Sequence, residues 1–269
     1  MGTHETEPKR RYRSVFISDF HLGTRGCRSE FLLDFLRRIE CERLYLVGDI
    51  IDGWRLRKSW YWDASHDEVI RLILRAARNG TDVTYVPGNH DEALRPWVGH
   101  EIAGVRLLNE AVHIGADGRR YLVIHGDQFD SVVRYAPFLA HLGDWAYDAA
   151  LAANRWFNEA RRRLGYPYWS FSQWLKLQVK GAVKAIDRFE TALAQEARRQ
   201  GLDGVICGHI HHAEMRIVQG VVYMNDGDWV ESCTALVEHA DGRFELVDWA
   251  RENRLSFFDA QARPLVSPA

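Results

Sequence analysis

The chain has 269 residues, 46% of them hydrophobic, with 35 Lys+Arg against 37 Asp+Glu for a net charge of −2. That length buries a substantial core in one elaborated domain, and the balanced charge gives no general reason to bind nucleic acid. Cys27, Cys41, Cys207 and Cys233 stand far apart with no Cys-x-x-Cys pair, which argues against a disulfide framework or a thiolate zinc site.

The segment before the first strand, residues 1–12, reads as flexible; it is polar and charged, without the apolar stretch of a signal peptide. No run reaches the roughly 18 apolar residues of a membrane span, so the expected setting is the cytoplasm. Val15-Phe16-Ile17 is the first strand and runs into Ser18-Asp19-Phe20-His21. Helical spacing follows at Phe31, Leu32, Phe35, Leu36 and Ile39, then a strand Leu44 to Val47 ending at Gly48-Asp49. Gly53 to Trp62 reads as a loop rich in basic and aromatic residues, and Val69, Ile70, Ile73, Leu74 and Ala77 repeat the helical spacing. Val83 to Val86 leads into Gly88-Asn89-His90-Asp91, and Tyr121 to Ile124 into His125-Gly126-Asp127. From about Ser131 to Gly201 two long helical patterns, broken near Gly165-Tyr166-Pro167, predict a helical insertion capping the strand ends. Val205 to Cys207 precedes Gly208-His209-Ile210-His211. Val221 to Met224, Ala235 to Val237 and Phe244 to Val247 read as an antiparallel group closing the fold, and residues 251–269 as a tail. One domain over 13–250, with 131–201 inserted, is the expected organisation.

Five strand ends therefore carry polar motifs on one expected rim. Asp19 and His21, two apart in an extended segment, would point the same way, and each glycine would allow a tight turn close to a common centre. Two aspartates, an asparagine and four histidines without thiolate suit divalent ions such as Mn²⁺, Fe²⁺, Co²⁺ or Zn²⁺. They are too many for one tetrahedral zinc and suit two ions sharing a bridging carboxylate, which implies hydrolysis of a phosphoester or phosphoanhydride by a metal-bound hydroxide. His4, His66, His100, His113, His141, His212 and His239 fall outside the pattern and read as ordinary, and Asp52, Asp127 and Asp130 as supporting or loop residues.

These motifs, in this order, resemble the calcineurin-like metallophosphoesterase family over roughly residues 13–130 and 203–248. The resemblance implies a four-layer α/β/β/α sandwich and two divalent ions, with Mn²⁺ the leading candidate. It places Asp19, His21 and His211 on the first ion, Asn89, His125 and His209 on the second, and Asp49 between them. His90 would meet the scissile phosphate as a charge stabiliser or proton donor, and Asp91 would orient His90.

Within that family the layout resembles the UDP-2,3-diacylglucosamine hydrolase group, through Ser18 to Gly23, Gly48 to Asp52, His125-Gly126-Asp127 and the helical insertion. One position departs: that group usually has Gly-Asn-Arg-Asp where this chain has His90. In the insertion Lys176, Lys180, Lys184 and Arg188 recur every fourth residue among aromatics such as Trp156, Trp169 and Trp174. The pattern reads as a peripheral contact with anionic lipid on the inner membrane face, as a pocket for an amphiphilic phosphate, or as a solvated face over an ordinary core. Arg55, Arg57 and Lys58 are candidates to hold a substrate phosphate. A metal-bearing scaffold without turnover is the non-enzymatic alternative; oligomeric state is not encoded in any of these patterns.

Overall fold

In β1 (Arg10–Ile17) Val15 and Ile17 turn to one side and Phe16 to the other, and all three are fully buried. A strand buried on both faces needs a layer on each side, and the chain supplies two sheets and flanking helices. The computed structural model describes residues 9–132 and 171–252. After β1 come α1 (Ser29–Arg38), β2 (Ile39–Val47), α2 (Gly53–Lys58), α3 (Ala64–Arg78), β3 (Asp82–Val86), β4 (Glu101–Ile102), β5 (Val105–Leu107), β6 (Ala111–Ile114) and β7 (Arg120–Val123). Then follow α4 (Phe171–Arg199), β8 (Gly204–Cys207), β9 (Glu214–Val218), β10 (Val221–Asn225), β11 (Thr234–Glu238), β12 (Phe244–Asp248) and α5 (Trp249–Glu252), with 3₁₀ turns at Glu92–Trp97 and Asp127–Val132.

The first sheet has the order β12-β11-β1-β2-β3-β5-β4 and the second β6-β7-β8-β10-β9. Phe16, Tyr45, Val47 and Leu236 of the first pack with Tyr121, Val123, Ile206 and Met224 of the second, forming the layer between them. On the other face of the first sheet Val15, Ile17, Leu44 and Leu46 meet Phe31, Leu32 and Phe35 of α1 and Val69 and Ile73 of α3. Leu122, Val205 and Tyr223, in register across the outer side of the second sheet, are also fully buried. This is the expected α/β/β/α sandwich.

Several expectations need correction. Residues 10–12 belong to β1, where Arg10, Arg11 and Tyr12 pair with Ile39, Glu40 and Cys41 of β2. Ile39 thus opens a strand instead of ending a helix. The last three runs do not form one group: β10 lies parallel to β8 in the second sheet, whereas β11 joins the first sheet antiparallel to β1 and β12 pairs antiparallel to β11 at its edge. Periodicity marks a strand but says nothing of its partner. Residues 53–58 form a helix, because Asp52 caps it by accepting a hydrogen bond from Arg55 N at 2.8 Å.

Two compact units divide the chain, residues 1–127 with 194–269 and residues 128–193, and both sheets lie in the first. The described part of the second helical pattern is one continuous helix, α4, of which residues 171–193 belong to the second unit and 194–199 to the first. The first helical pattern with its aromatics, the side chains of Lys176 and Lys180, and residues 253–269 lie outside the described residues; Lys184 and Arg188 are exposed. No helix among the described residues is long and apolar enough to cross a membrane.

Candidate metal centre

The strand ends of both sheets converge because their loops hydrogen-bond to one another. Asp19 N donates to Gly48 O at 3.0 Å and His21 N to Asp49 O at 2.9 Å, while His125 Nδ1 reaches Val47 O at 2.8 Å across the sheets. Asp19 and His21 are not extended: both are left-handed, with φ of 53° and 51°, as are Asp49, His209 and His211. For residues other than glycine that conformation is strained by about 1–3 kcal/mol each, and such strain gathers at functional sites. Two motif glycines serve close approach instead of turn geometry. A Cβ on Gly88 would lie 2.2 Å from Asp49 Oδ1, and one on Gly208 2.5 Å from Asp19 Oδ2.

Three overlapping sets of side chains bring their ligand atoms within 4.8 Å of one another: Asp19, His21 and His211; His21, Asp49 and His90; and Asp49, His125 and His209. His211 Nε2 is 3.1 Å from Asp19 Oδ1 and 3.4 Å from His21 Nε2. The two oxygens of Asp49 face different sets, Oδ1 towards His125 Nε2 at 3.4 Å and Oδ2 towards His21 Nε2 at 3.8 Å. A carboxylate so placed can bridge two ions.

The residues fit divalent ions on a further observation. Asp19 Oδ1, Asn89 Oδ1 and His125 Nε2 are buried without a hydrogen-bond partner, which is costly for polar atoms unless a ligand meets them. For two of them the other end is engaged: Asp19 Oδ2 accepts from Ser18 Oγ at 2.5 Å and from His209 N at 2.9 Å, and His125 Nδ1 donates to Val47 O. With Nδ1 donating to a carbonyl, Nε2 of His125 is the nitrogen left to meet an ion, giving up the proton it carries in the metal-free protein.

The electrostatics agree. Burial pushes the carboxyl of Asp19 up, but the positive charge of the adjacent His211 outweighs it and holds the group well below its ordinary range. Asp49 is likewise lowered by His125 against the effect of burial. Conversely His211, which burial alone would depress, is raised to about 9 by Asp19, and His125 is raised well above its ordinary value by Asp49. Buried carboxylates that raise the proton affinity of their histidines form a site that takes up cations.

Asp91 is not placed as expected. Its carboxylate accepts from Ile50 N at 2.9 Å, Gly88 N at 2.5 Å and Tyr85 Oη at 2.5 Å, so it fastens the loop behind the site. The carboxylate beside His90 is Asp52, whose Oδ2 lies 3.1 Å from His90 Nδ1 and 3.3 Å from His21 Nδ1. Burial works against a charged His90, but Asp52 and Asp49 together raise its pKa. Trp54 packs on the same ring, centroids 4.3 Å apart. Arg55, Arg57 and Lys58 follow on α2 and are exposed. Asp127 pairs with Arg95 at 2.6 Å, and buried His66 accepts from Gly23 N at 3.3 Å, behind the first metal loop. Tyr85, Trp54 and Ser18 also touch the site while standing outside the ligand pattern. Only Ser18, beside the first ligand at a strand end, carried a local signal.

A family model described as Calcineurin-like phosphoesterase matches residues 12–213. A UDP-2,3-diacylglucosamine hydrolase from Xanthomonas campestris pv. campestris (strain B100) is 29% identical over 249 residues, 85% of this chain and 96% of the relative. One from Stenotrophomonas maltophilia (strain K279a) is 28% identical, covering 89% of this chain and 99% of the relative. A solved structure described as a novel archaeal phosphodiesterase is 13% identical with a TM-score of 0.43, covering 87% of this chain and 98% of that one.

Proposed function

The chain belongs to the calcineurin-like phosphoesterase family and is a hydrolase, and we propose that it uses two divalent ions to cleave a phosphoester or diphosphate bond in a lipid-linked or nucleotide-sugar phosphate. The observation that carries this reading is the pair of orphaned atoms within the cluster, Asp19 Oδ1 and His125 Nε2, with Asn89 Oδ1 likewise buried and unpartnered at a third strand end. In the proposed arrangement Asp19, His21 and His211 hold one ion, Asn89, His125 and His209 the other, and Asp49 bridges. Ions bound there supply Lewis-acid charge to the phosphoryl group and lower the pKa of a water. His90 stays outside the ligand set. Its raised pKa and the Asp52 carboxylate 3.1 Å from Nδ1 suit it to hold a proton at Nε2 and pass it to the leaving oxygen. Arg55, Arg57 and Lys58, on the helix that Asp52 caps, are proposed to hold a substrate phosphate.

The named relatives, matched along nearly their whole length, support UDP-2,3-diacylglucosamine as the leading candidate substrate. The insertion 131–201, carrying Lys176, Lys180 and Lys184, is proposed to select it as a cap. His90, in place of the arginine usual in that group, supports a second reading, a phosphomonoesterase or phosphodiesterase for another phospholipid, nucleotide or phosphoprotein. Turnover of p-nitrophenyl phosphate and its bis ester with Mn²⁺ tests the chemistry, and metal-replete protein without turnover would favour a scaffold. Release of UMP from the acylated UDP-sugar tests the substrate; activity on the simple esters with none on the lipid would sink the first reading. His90→Ala is expected to keep its ions and lose turnover.

A further inference from the structure

Asp226 stands just past β10 in the second sheet and is completely buried, as is Ser18 next to it across the sheets. Its Oδ1 lies 2.6 Å from Ser18 Oγ, which in turn lies 2.5 Å from Asp19 Oδ2. Two oxygen–oxygen contacts that short each require a hydrogen between them. The serine hydroxyl brings one, and the further oxygen near it, Gly227 O at 3.2 Å, is an acceptor. Were both carboxyls ionised, one of the short contacts would oppose lone pairs. The second oxygen of Asp226, Oδ2, is buried with no hydrogen-bond partner, a costly position for a charge and a tolerable one for a neutral acid.

We propose that Asp226 is a neutral carboxylic acid that donates to Ser18 Oγ, that Ser18 donates to Asp19 Oδ2, and that this chain positions Asp19 so that Oδ1 alone faces the ion. The inference rests on the metal reading given above. Asp19 Oδ2 then receives two hydrogen bonds, from Ser18 and from His209 N at 2.9 Å, while Oδ1 receives none and lies 3.1 Å from His211 Nε2. Burial, reinforced by the charge of Asp19, also pushes the Asp226 carboxyl well above its ordinary range. Because Ser18 follows β1 and Asp226 follows β10, the chain ties a first-sheet ligand to the sheet whose strand ends carry His209 and His211. Asp226 is thus a positioning residue, acting through Ser18.

The test compares wild type, Asp226→Asn, Asp226→Ala and Ser18→Ala, each stripped of metal and titrated with Mn²⁺ by calorimetry. Asn at 226 carries an N–H that replaces the acid O–H and no charge, so Asp226→Asn is expected to hold both ions within about twofold of wild type. Asp226→Ala and Ser18→Ala are expected to weaken the Asp19/His21/His211 ion about 10–100-fold and leave the other unchanged. A merely structural role would lower both sites together. Should Asp226→Ala fail to fold, Ser18→Ala and Asp226→Asn carry the comparison. Loss in Asp226→Asn as large as in Ser18→Ala overturns the neutral acid, and unchanged affinity in the alanine variants overturns the positioning role. The infrared carbonyl stretch of a carboxylic acid, present in wild type and missing from Asp226→Asn, is the metal-independent readout, and its absence from wild type overturns the assignment. Wild type that takes up no divalent ion overturns the metal reading itself, a result distinct from the others.

Discussion

Replacing Gly88 with alanine should empty the centre while sparing the fold. The new Cβ would stand 2.2 Å from Asp49 Oδ1 and 2.7 Å from Nε2 and Cδ2 of His125. That is about 1 Å short of ordinary van der Waals contact, so Asp49 or His125 must move by about that much. Metal sites hold ligand distances within about 0.2 Å, and a displacement several times larger removes the bridging carboxylate from one ion or both. A misplacement of about 1 Å at reacting groups lowers turnover about 100-fold. Gly88 is not among the left-handed glycines, so alanine brings no backbone penalty. The assay is metal content by elemental analysis beside turnover of bis-p-nitrophenyl phosphate, with thermal unfolding of the metal-free protein as the control. Gly88→Ala is expected to lose bound metal and about two orders of magnitude in kcat/KM, and to melt near the wild-type temperature. A variant with full metal content and wild-type turnover would refute the reasoning, since it would mean that Asp49 and His125 need not occupy their present positions.

Asp52→Asn should keep α2 folded, because asparagine caps as well as aspartate, yet lower kcat about 10–100-fold as His90 and His21 lose their shared carboxylate; separate kcat and KM values check it. His211, raised to about 9 by Asp19 against the effect of burial, holds a proton in the metal-free protein that an entering ion must displace. Mn²⁺ affinity is therefore expected to rise with pH up to about 9, and calorimetry in a pH series should show proton release. Away from the centre, burial raises Glu238, but His113, Ala116 N, Ser14 and Arg13 overcome it and bring the group down to about 2, below its ordinary 4.5. Its contribution is present above pH 4.5 and is lost as pH falls towards 2, so Glu238→Gln should flatten the acid side of the stability profile measured by urea unfolding.

The core strands were legible because each is a short apolar run closed by glycine and polar residues, and a strand buried on both faces can hardly look otherwise. β4, β5, β6 and β9 are not legible in the sequence: β4, β5 and β6 are only two, three and four residues long, and β9 is an edge strand with three exposed residues in a row. In the site, the seven ligand candidates converge on one cluster or, for Asn89, direct an orphaned atom into a buried position. The adjacency of His90 and Asp91 misled, because the chain turns between them and sends Asp91 back to Ile50 N and Tyr85. Asp52, thirty-eight positions before His90, became its neighbour only through the pairing of β2 with β3.

By itself the sequence determined which residue types stand at strand ends, in what order, and hence the kind of ion and chemistry they suit; those properties belong to side chains and their spacing. Which sheet each strand joined, which oxygen of each aspartate was left bare, and which carboxyl steadied His90 were decided by tertiary structure. The reason is that these depend on register, loop handedness and hydrogen-bond counts between segments hundreds of residues apart, such as Ser18 and Asp226.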